Sequence, residues 1–147
     1  MDDEEERIAQ KCYLDIAKAQ LKVDEGLRLK PYLDTANKWT VGYGRNLSDK
    51  GLTLEEAELL LENDIAEAEA TAKVLFPSFD SLSENRRAVL CNMAFNLGQT
   101  RLAGFRRLRE AVEAGEWGRA AAEMIDSRWA EQVKERATRL AEQMKKG

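Results

Sequence analysis

The stretch VDEGLRLKPYLDTANKWTVGYGRNLSDKG, Val23 to Gly51, decides the fold because it interrupts a sequence otherwise rich in helix-forming residues. Gly26 follows a run with helical spacing, and glycine is the residue type that most often ends a helix. The aromatic and β-branched residues that follow favour strands, and DTAN, which begins at Asp34, favours a turn. The stretch therefore predicts a small β-hairpin directly after a helix.

The sequence on both sides of the hairpin is helical. Apolar spacing predicts a helix from about Glu4 to Glu25. A second, long helix is predicted from Thr53 to about Leu75, because Thr53 with Glu56 three places later forms a capping-box pattern. A helix of this length is suited to joining two parts of a fold.

The second half predicts a group of shorter helices around one apolar helix. SENRRAVLCNMAFNLG starts with a capping signal at Ser83 and should end at Gly98. Further helices are expected between breaks near Gly104, Gly115 and Asp126 to Ser127, with RWAEQVKERATRLAEQMKKG forming the last.

These elements predict an α+β fold that is mostly helical. We expect a small N-terminal lobe, about residues 13–52, that carries the hairpin. A connecting helix over about 53–75 leads to a larger helical lobe over about 76–147, and the N-terminal helix is a candidate to pack on that lobe.

Composition predicts a globular protein, and nothing in the sequence predicts its export. Hydrophobic residues make up 44% of the 147 residues and charged residues 34%, which is too apolar for disorder. No run approaches the ~20 apolar residues that span a bilayer, and MDDEEERIAQ is acidic where a signal peptide is basic and then apolar. Cys12 and Cys91 are expected to be reduced and buried, in a protein made in the cytoplasm.

The residue types exclude several kinds of chemistry. The chain has no histidine, which excludes Ser-His-Asp and Cys-His catalysis and the usual zinc sites. No cofactor or metal is expected, so any catalysis depends on carboxylates, hydroxyls, amides or lysine. Residues 84–147 carry 13 basic against 9 acidic residues, which fits either attraction to an anionic polymer or a solvated helical surface.

Two carboxylates in the hairpin segment are candidates for acid and base catalysis. Glu25 is placed in the last turn of a helix, where the helix dipole and partial burial favour the protonated acid. Asp34, at the start of a turn, should be more open to water and stay ionised. The returning strand should pack its Trp39, Val41, Tyr43 face on the core and leave its Thr40, Gly42, Gly44 face open beside the carboxylates.

The same residues can also be explained by structural roles alone, without catalysis. A glutamate at a helix end is often a solvated charge, an aspartate at a turn is often an Asx cap, and Gly-x-Gly is often a turn device. Spacing alone does not decide between this interpretation and catalysis.

Longer blocks of sequence resemble the phage-type lysozymes, the muramidases that include the T-even phage endolysins. The resemblance starts in DEGLRLKPYLDTANKWTVGYGRNL and continues through LEEAELLLENDI, FDSLSENRRAVLCNMAFNLGQTRLAGF and EWGRAAAEMIDSRWAEQVKERATR. It covers nearly the whole chain after residue 20. Four ordered blocks at compatible spacing make it far more specific than a three-residue signature.

The resemblance implies a lysozyme-like fold and hydrolysis of the β-1,4 bond between N-acetylmuramic acid and N-acetylglucosamine in peptidoglycan. Glu25 matches the acid that protonates the leaving oxygen, and Asp34 the carboxylate that orients the attacking water. Thr40 matches a threonine that assists that water. Family members of this type invert the anomeric centre, and the glycan is expected between the two lobes.

Further roles are implied less directly. Phe95 and Asn96 match an aromatic and an amide that line the family's cleft, although core packing is an alternative for Phe95. Tyr32 and Asn46 are expected to contact substrate. Arg136 matches an arginine near the cleft that reaches Glu25.

The remaining positions either concern packing, as Trp129 does, or differ from the sequence pattern of the family. Trp129 is expected in the core. Arg45 stands where relatives have histidine, so any pairing of this position with Asp64 should be permanent and should not titrate near neutrality. Leu108 and Glu123 replace small polar contacts, and the loop after Asn46 is shorter than in the T-even group, so no binding role is carried over to these positions.

The implied biology is host cell lysis by a monomer that binds no nucleic acid and does not insert in the membrane. It would accumulate in the host cytoplasm and depend on a holin to reach the wall. Two other classes stay open at this point: a peptidoglycan-binding or helical interaction module without turnover, and a lytic transglycosylase.

Overall fold

The computed structural model describes residues 2–147, and the side chains of all of these except residues 9–11. It confirms an α+β, mostly helical fold with one small antiparallel sheet. The chain divides into two compact units, and the division falls between Ala57 and Glu58. None of the helices found in residues 2–147 is long and apolar enough to cross a bilayer.

The first unit, which ends at Ala57, consists of a long helix, a three-stranded sheet and a short helix. Its elements are α1 (Asp3–Glu25), β1 (Arg28–Leu33), β2 (Trp39–Gly42), β3 (Arg45–Asn46), α2 (Leu47–Lys50) and the first turn of α3 (Leu54–Leu75). Asp2 caps α1 by accepting hydrogen bonds from the backbone of Glu4 and Glu5. Four acidic residues in the first turn also suit the positive end of the helix dipole.

The sheet makes the chain fold back after α1. The strand order is β1-β2-β3, so β2 is central, and both pairings are antiparallel. Tyr32 is paired with Thr40, and Thr40 is paired in turn with Asn46. An irregularity in the β1–β2 register lies between Arg28 and Tyr32. The predicted hairpin is therefore present, with a third strand that the sequence did not indicate.

Helix α3 begins where the capping pattern predicts. The N–H of Thr53 donates to Oε1 of Glu56 at 2.9 Å, and the N–H of Glu56 donates to Oγ1 of Thr53 at 3.2 Å. The helix ends at Leu75, two residues before Pro77, because proline cannot continue a helix. The capping box and the length of α3 are confirmed.

The second unit, which starts at Glu58, is helical. It contains the rest of α3, a 3₁₀ turn (Phe79–Ser81), α4 (Glu84–Ala103), α5 (Arg106–Glu113), α6 (Trp117–Ile125), α7 (Arg128–Val133) and α8 (Glu135–Lys146). Ser83 caps α4 through a hydrogen bond from the N–H of Arg86, as predicted. Its core has Trp129, 2% exposed, among large side chains that include Phe76, Leu90, Met93, Leu102, Leu108, Met124 and Met144.

Two helix boundaries differ from the sequence prediction. Gly98 kinks α4 with φ +77° and ψ 169°, but the helix resumes and continues to Ala103. The single final helix that was expected is two helices, α7 and α8, separated by Lys134 with φ +49°. A lysine gives no sequence signal for a positive φ, because glycine and asparagine are the residues that usually adopt it.

The expected burial of the cysteines is wrong for Cys12, which is exposed on α1. The large apolar residues around it on α1, Ile8, Tyr13, Leu14 and Ile16, are exposed as well. Cys91 on α4 is half-buried, and this burial raises the pKa of its thiol.

Candidate active site

Glu25 is the last residue of α1, and its carboxylate lies against Gly44. The helix ends because Gly26 adopts φ +71° while its N–H still donates to the carbonyl of Lys22. The ammonium of Lys22 lies 5.4 Å from the centroid of the Tyr43 ring, next to Gly44. The end of α1 and the turn after β2 are thus in contact at two points.

Asp34 is held inside the hairpin turn. Its Oδ1 accepts a 2.8 Å hydrogen bond from the N–H of Ala36 and a 2.9 Å bond from the N–H of Lys38. The N–H of Asp34 itself donates to the carbonyl of Lys38 at 2.9 Å, and Asn37 completes the turn with φ +62°. The backbone therefore fixes the position of this carboxylate.

The two acids differ in solvent exposure in the opposite sense to the prediction. Asp34 was expected to be more open to water and Glu25 partly buried, but Asp34 is half-buried and Glu25 is exposed. The reason is local. Asp34 folds into its own turn to accept the two N–H groups, whereas Glu25 projects from a helix end toward a residue without a side chain.

Thr40 is buried at the centre of the sheet. It is 4% exposed, and its hydroxyl donates to the carbonyl of Lys38 at 3.0 Å. The expectation that the Thr40 face is open and the opposite face packed is wrong, since Trp39 is 51% and Tyr43 is 43% exposed. Thr40 is covered because β2 is the central strand, with a cross-strand neighbour on each side.

Strand β2 and the residues that flank it contain the groups that contact the two acids, in sequence order. Lys38, which holds Asp34, precedes Thr40 by two residues, and Gly44, which contacts Glu25, follows Thr40 by four. The fold-back needed to bring the two acids to the same sheet is present.

Tyr32 and Asn46 flank Thr40 on the neighbouring strands. The guanidinium of Arg28 lies 4.4 Å from the centroid of the half-buried Tyr32 ring. Asn46 caps α2, since its Oδ1 accepts from the N–H of Asp49 at 3.0 Å and its Nδ2 donates to Oδ2 of Asp49 at 2.9 Å. This amide is used within the protein, and substrate contacts of both residues stay a prediction.

Asp49 joins the sheet to the hairpin turn. Lys38 donates to its Oδ1 at 3.0 Å, and this hydrogen bond, followed by that of Asn46, lowers the pKa of the Asp49 carboxyl below its ordinary value. Because Lys38 also donates its N–H to Asp34, the ion pair helps to hold the turn that carries Asp34.

Arg45 has two partners within the first unit, and its pairing with Asp64, which lies in the second unit, stays a prediction. Arg45 donates through Nη2 to Oε2 of Glu56 at 2.6 Å and through Nη1 to the carbonyl of Gly51 at 2.9 Å. The start of α3 lies closer along the chain to β3 than Asp64 does, so the capping residue Glu56 receives the guanidinium. The hydrogen bond from the N–H of Thr53 is the main cause of a lowered Glu56 pKa.

Phe95 and Asn96 lie side by side on α4 in the second unit. Phe95 is 46% exposed, which excludes core packing, and it lines an open cavity of about 340 Å³ with Asp64, Glu67, Thr71, Gly98 and Gln99. Oδ1 of Asn96 accepts a 2.8 Å hydrogen bond from Nε1 of Trp129. Trp129 is a core residue, as expected, and its ring makes an edge-to-face contact with Phe105.

Arg136 has a partner within the second unit. Its Nε and Nη2 both donate to Oδ1 of Asn92, at 3.0 and 2.7 Å. Its predicted role in supporting Glu25 stays a prediction.

Sequence reasoning missed a larger groove of about 700 Å³ in the second unit, which we call the arginine groove. Its lining includes Arg101, Arg106, Arg107 and Arg128, together with Glu123 and Asp126. The closely spaced arginines of TRLAGFRRLRE were a signal that was available in the sequence. With four arginines against two carboxylates, the lining of the groove has a net positive charge.

Comparisons with known proteins identify the family to which this sequence is similar. The phage lysozyme family model matches residues 22–145, which include every site residue described above. The pre-baseplate central spike protein of Enterobacteria phage T4 is 31% identical over 148 residues, covering 82% of this chain and 26% of that protein. This chain therefore spans about a quarter of the spike protein.

Two further relatives are similar over most of their own length. "Probable T4-type lysozyme 2" of Dictyostelium discoideum is 28% identical over 153 residues, covering 84% of this chain and 89% of that protein. The endolysin of Acyrthosiphon pisum secondary endosymbiont phage 1 is 34% identical over 111 residues, covering 71% and 72%.

Proposed function

Because the chain belongs to the phage lysozyme family and is therefore a glycoside hydrolase of peptidoglycan, we propose that it hydrolyses the β-1,4 bond between N-acetylmuramic acid and N-acetylglucosamine with inversion. One observation carries the proposal. In the first unit the carboxylate of Glu25 lies against Gly44 and that of Asp34 lies in the hairpin turn, with Thr40 between Lys38 and Gly44 along the chain.

Glu25 is the proposed general acid. It is exposed at the end of α1, so its carboxyl group is accessible to a glycosidic oxygen. In the proposed step it acts as a protonated carboxylic acid, the form that a general acid needs. Donating that proton to the leaving oxygen lets the sugar depart as an alcohol while an oxocarbenium-like centre develops.

Asp34 is the proposed base that activates the attacking water. Both backbone hydrogen bonds go to Oδ1, so the proposal assigns Oδ2 to the water. The hydroxyl of Thr40 donates to the Lys38 carbonyl, which leaves its oxygen as an acceptor for a proton of the same water. Inverting enzymes hold their carboxyl groups about 6.5 to 9.5 Å apart to admit this water.

The second unit is the proposed source of binding contacts. The exposed ring of Phe95 offers an apolar surface for a sugar ring, and the hydrogen bond from Trp129 to Oδ1 of Asn96 orients that amide, whose Nδ2 can donate to a sugar. The arginine groove complements the anionic groups of the wall polymer.

The proposed setting is host cell lysis. The endolysin relative supports action on the cell wall. We propose that the protein acts as a monomer, accumulates in the host cytoplasm and reaches peptidoglycan through a holin.

The test compares wild type, Glu25→Gln and Asp34→Asn on purified peptidoglycan, with product ends identified by mass spectrometry. The proposal expects reducing muramic acid ends from wild type and a loss of activity of about 100-fold or more in each variant. Asp24→Asn, which removes an exposed carboxylate beside Glu25, is the matched control and should keep wild-type activity. Anhydro ends would indicate transglycosylation, and undiminished clearing by Glu25→Gln would contradict the proposed acid.

A further inference from the structure

Residue 44 has no room for a side chain while Glu25 keeps its present position. A Cβ at Gly44 would lie 2.6 Å from Oε2, 3.0 Å from Cδ and 3.3 Å from Cγ of Glu25. Ordinary van der Waals contact begins at 3.4 Å, so a methyl group would force the carboxylate oxygen to move by about 0.8 Å, from 2.6 to 3.4 Å.

We propose that Gly44 is a positioning residue, whose bare backbone forms the surface that places the Glu25 carboxylate. This inference rests on the proposed role of Glu25 as the general acid. Gly44 takes no part in proton transfer itself and acts only through Glu25.

We expect steric contact with Gly44, rather than hydrogen bonding, to position the Glu25 carboxylate. Within the first unit, the hydrogen bonds among described residues include none to the Glu25 side chain, in contrast to the two that hold Asp34. The Glu25 side chain is long and exposed, so the described residues of the first unit restrain its rotamers only through this contact. The Lys22–Tyr43 contact brings the end of α1 to the turn, and the absent Cβ then admits the carboxylate.

Gly44 also has φ +73°, a backbone conformation that by itself favours glycine. The two reasons for a glycine can be separated, because Gly51 has φ +61° and nothing within 4 Å of a built Cβ. Gly51 ends α2 and has no proposed catalytic or binding role. Gly51→Ala therefore also places a side chain at a positive φ, but without the contact to Glu25, and it is the control for Gly44→Ala.

The experiment measures turnover of soluble peptidoglycan fragments, thermal unfolding and the ¹³Cδ resonance of Glu25 in wild type, Gly44→Ala and Gly51→Ala. Both variants should lose thermal stability, because each places a side chain at a positive φ. Only Gly44→Ala should lower kcat, by about 100-fold with KM little changed, because a misplacement of about 1 Å costs on that order in rate. Only Gly44→Ala should shift the Glu25 resonance.

Gly44→Asn and Gly51→Asn form a second pair in case alanine at 44 prevents folding. Asparagine tolerates a positive φ better than alanine and still places a Cβ beside Glu25. The inference is overturned if the variants at 44 and 51 have equal kcat values, or if the Glu25 resonance is the same in both. If Glu25→Gln keeps full turnover, the proposed function fails instead, while the resonance still reports whether Gly44 positions the carboxylate.

Discussion

The indole Nε1–H of Trp129 donates a 2.8 Å hydrogen bond to Oδ1 of Asn96. An indole N–H is only a donor, so this bond fixes which end of the Asn96 amide faces the core and leaves Nδ2 as a donor. The buried Trp129 therefore determines how the amide of Asn96, a predicted substrate-binding residue, is oriented.

Trp129→Phe should weaken substrate binding more than catalysis. Without the donor the Asn96 amide can rotate, so we expect KM for peptidoglycan fragments to rise several-fold and kcat to stay near wild type. The lost bond and packing should also lower the free energy of unfolding by about 1–3 kcal/mol. Steady-state kinetics and denaturant unfolding measure both, with the buried Val112→Ala as a packing control. An unchanged KM would refute the role of this hydrogen bond.

Glu56, and not Asp64, should be the residue whose charge supports Arg45. Glu56→Gln removes the charge but keeps an acceptor for the N–H of Thr53, so it isolates the ion pair from the helix cap. We expect its Tm to fall by about 1–2 °C at low salt, with a smaller fall at high salt. Asp64→Asn should leave Tm unchanged, and the opposite ranking of the two variants would restore the pairing expected from sequence.

Acid should remove part of the stability of the first unit. The pKa of Asp49 is lowered chiefly by the hydrogen bond from Lys38, and that of Glu56 chiefly by the N–H of Thr53. A folded pKa below the unfolded value, about 4, gives stability that is present above pH 4 and is lost as the pH falls through the folded pKa. Between pH 5 and 2.5 the Tm of wild type should therefore fall more than that of Asp49→Asn/Glu56→Gln. Parallel Tm curves for the two proteins would argue against this linkage.

Arg136 and Asn92 should be energetically coupled. A double-mutant cycle with Arg136→Lys and Asn92→Ala should give a coupling of about 1–2 kcal/mol in denaturant unfolding, since two N–H groups of a charged side chain share one acceptor. Measurement of kcat distinguishes this structural role of Arg136 from its predicted support of Glu25. If Arg136→Lys lowers kcat far more than Asn92→Ala does, Arg136 also acts on the catalytic residue, and a coupling near zero contradicts the structural role.

Local signals in the sequence predicted the elements that local chemistry determines. The reciprocal hydrogen bonds of Thr53 with Glu56, the cap at Ser83 and the helix end at Gly26 depend on residues within a few positions of each other. Each follows from a backbone N–H that needs an acceptor or from a φ that favours glycine. These positions were all predicted correctly.

Features that depend on distant neighbours were not predicted. The buried face of β2 depends on Thr40 having a strand on each side, and β3 is too short to recognise in sequence. The partner of Arg45 depends on where α3 begins relative to β3. The contact of Glu25 with Gly44 depends on the approach of a helix end to a turn, so Gly-x-Gly in the sequence showed only that small residues were needed.

The stereochemistry of the first product tests the central claim most directly. If Glu25 protonates the leaving oxygen while Asp34 directs water to the opposite face, cleavage of a β-linkage releases a new reducing end as the α-anomer. Proton NMR of a soluble peptidoglycan fragment in the first minutes of reaction, before mutarotation, distinguishes the anomers. The account predicts the α-anomer, and a β-anomer or an anhydro end would contradict it.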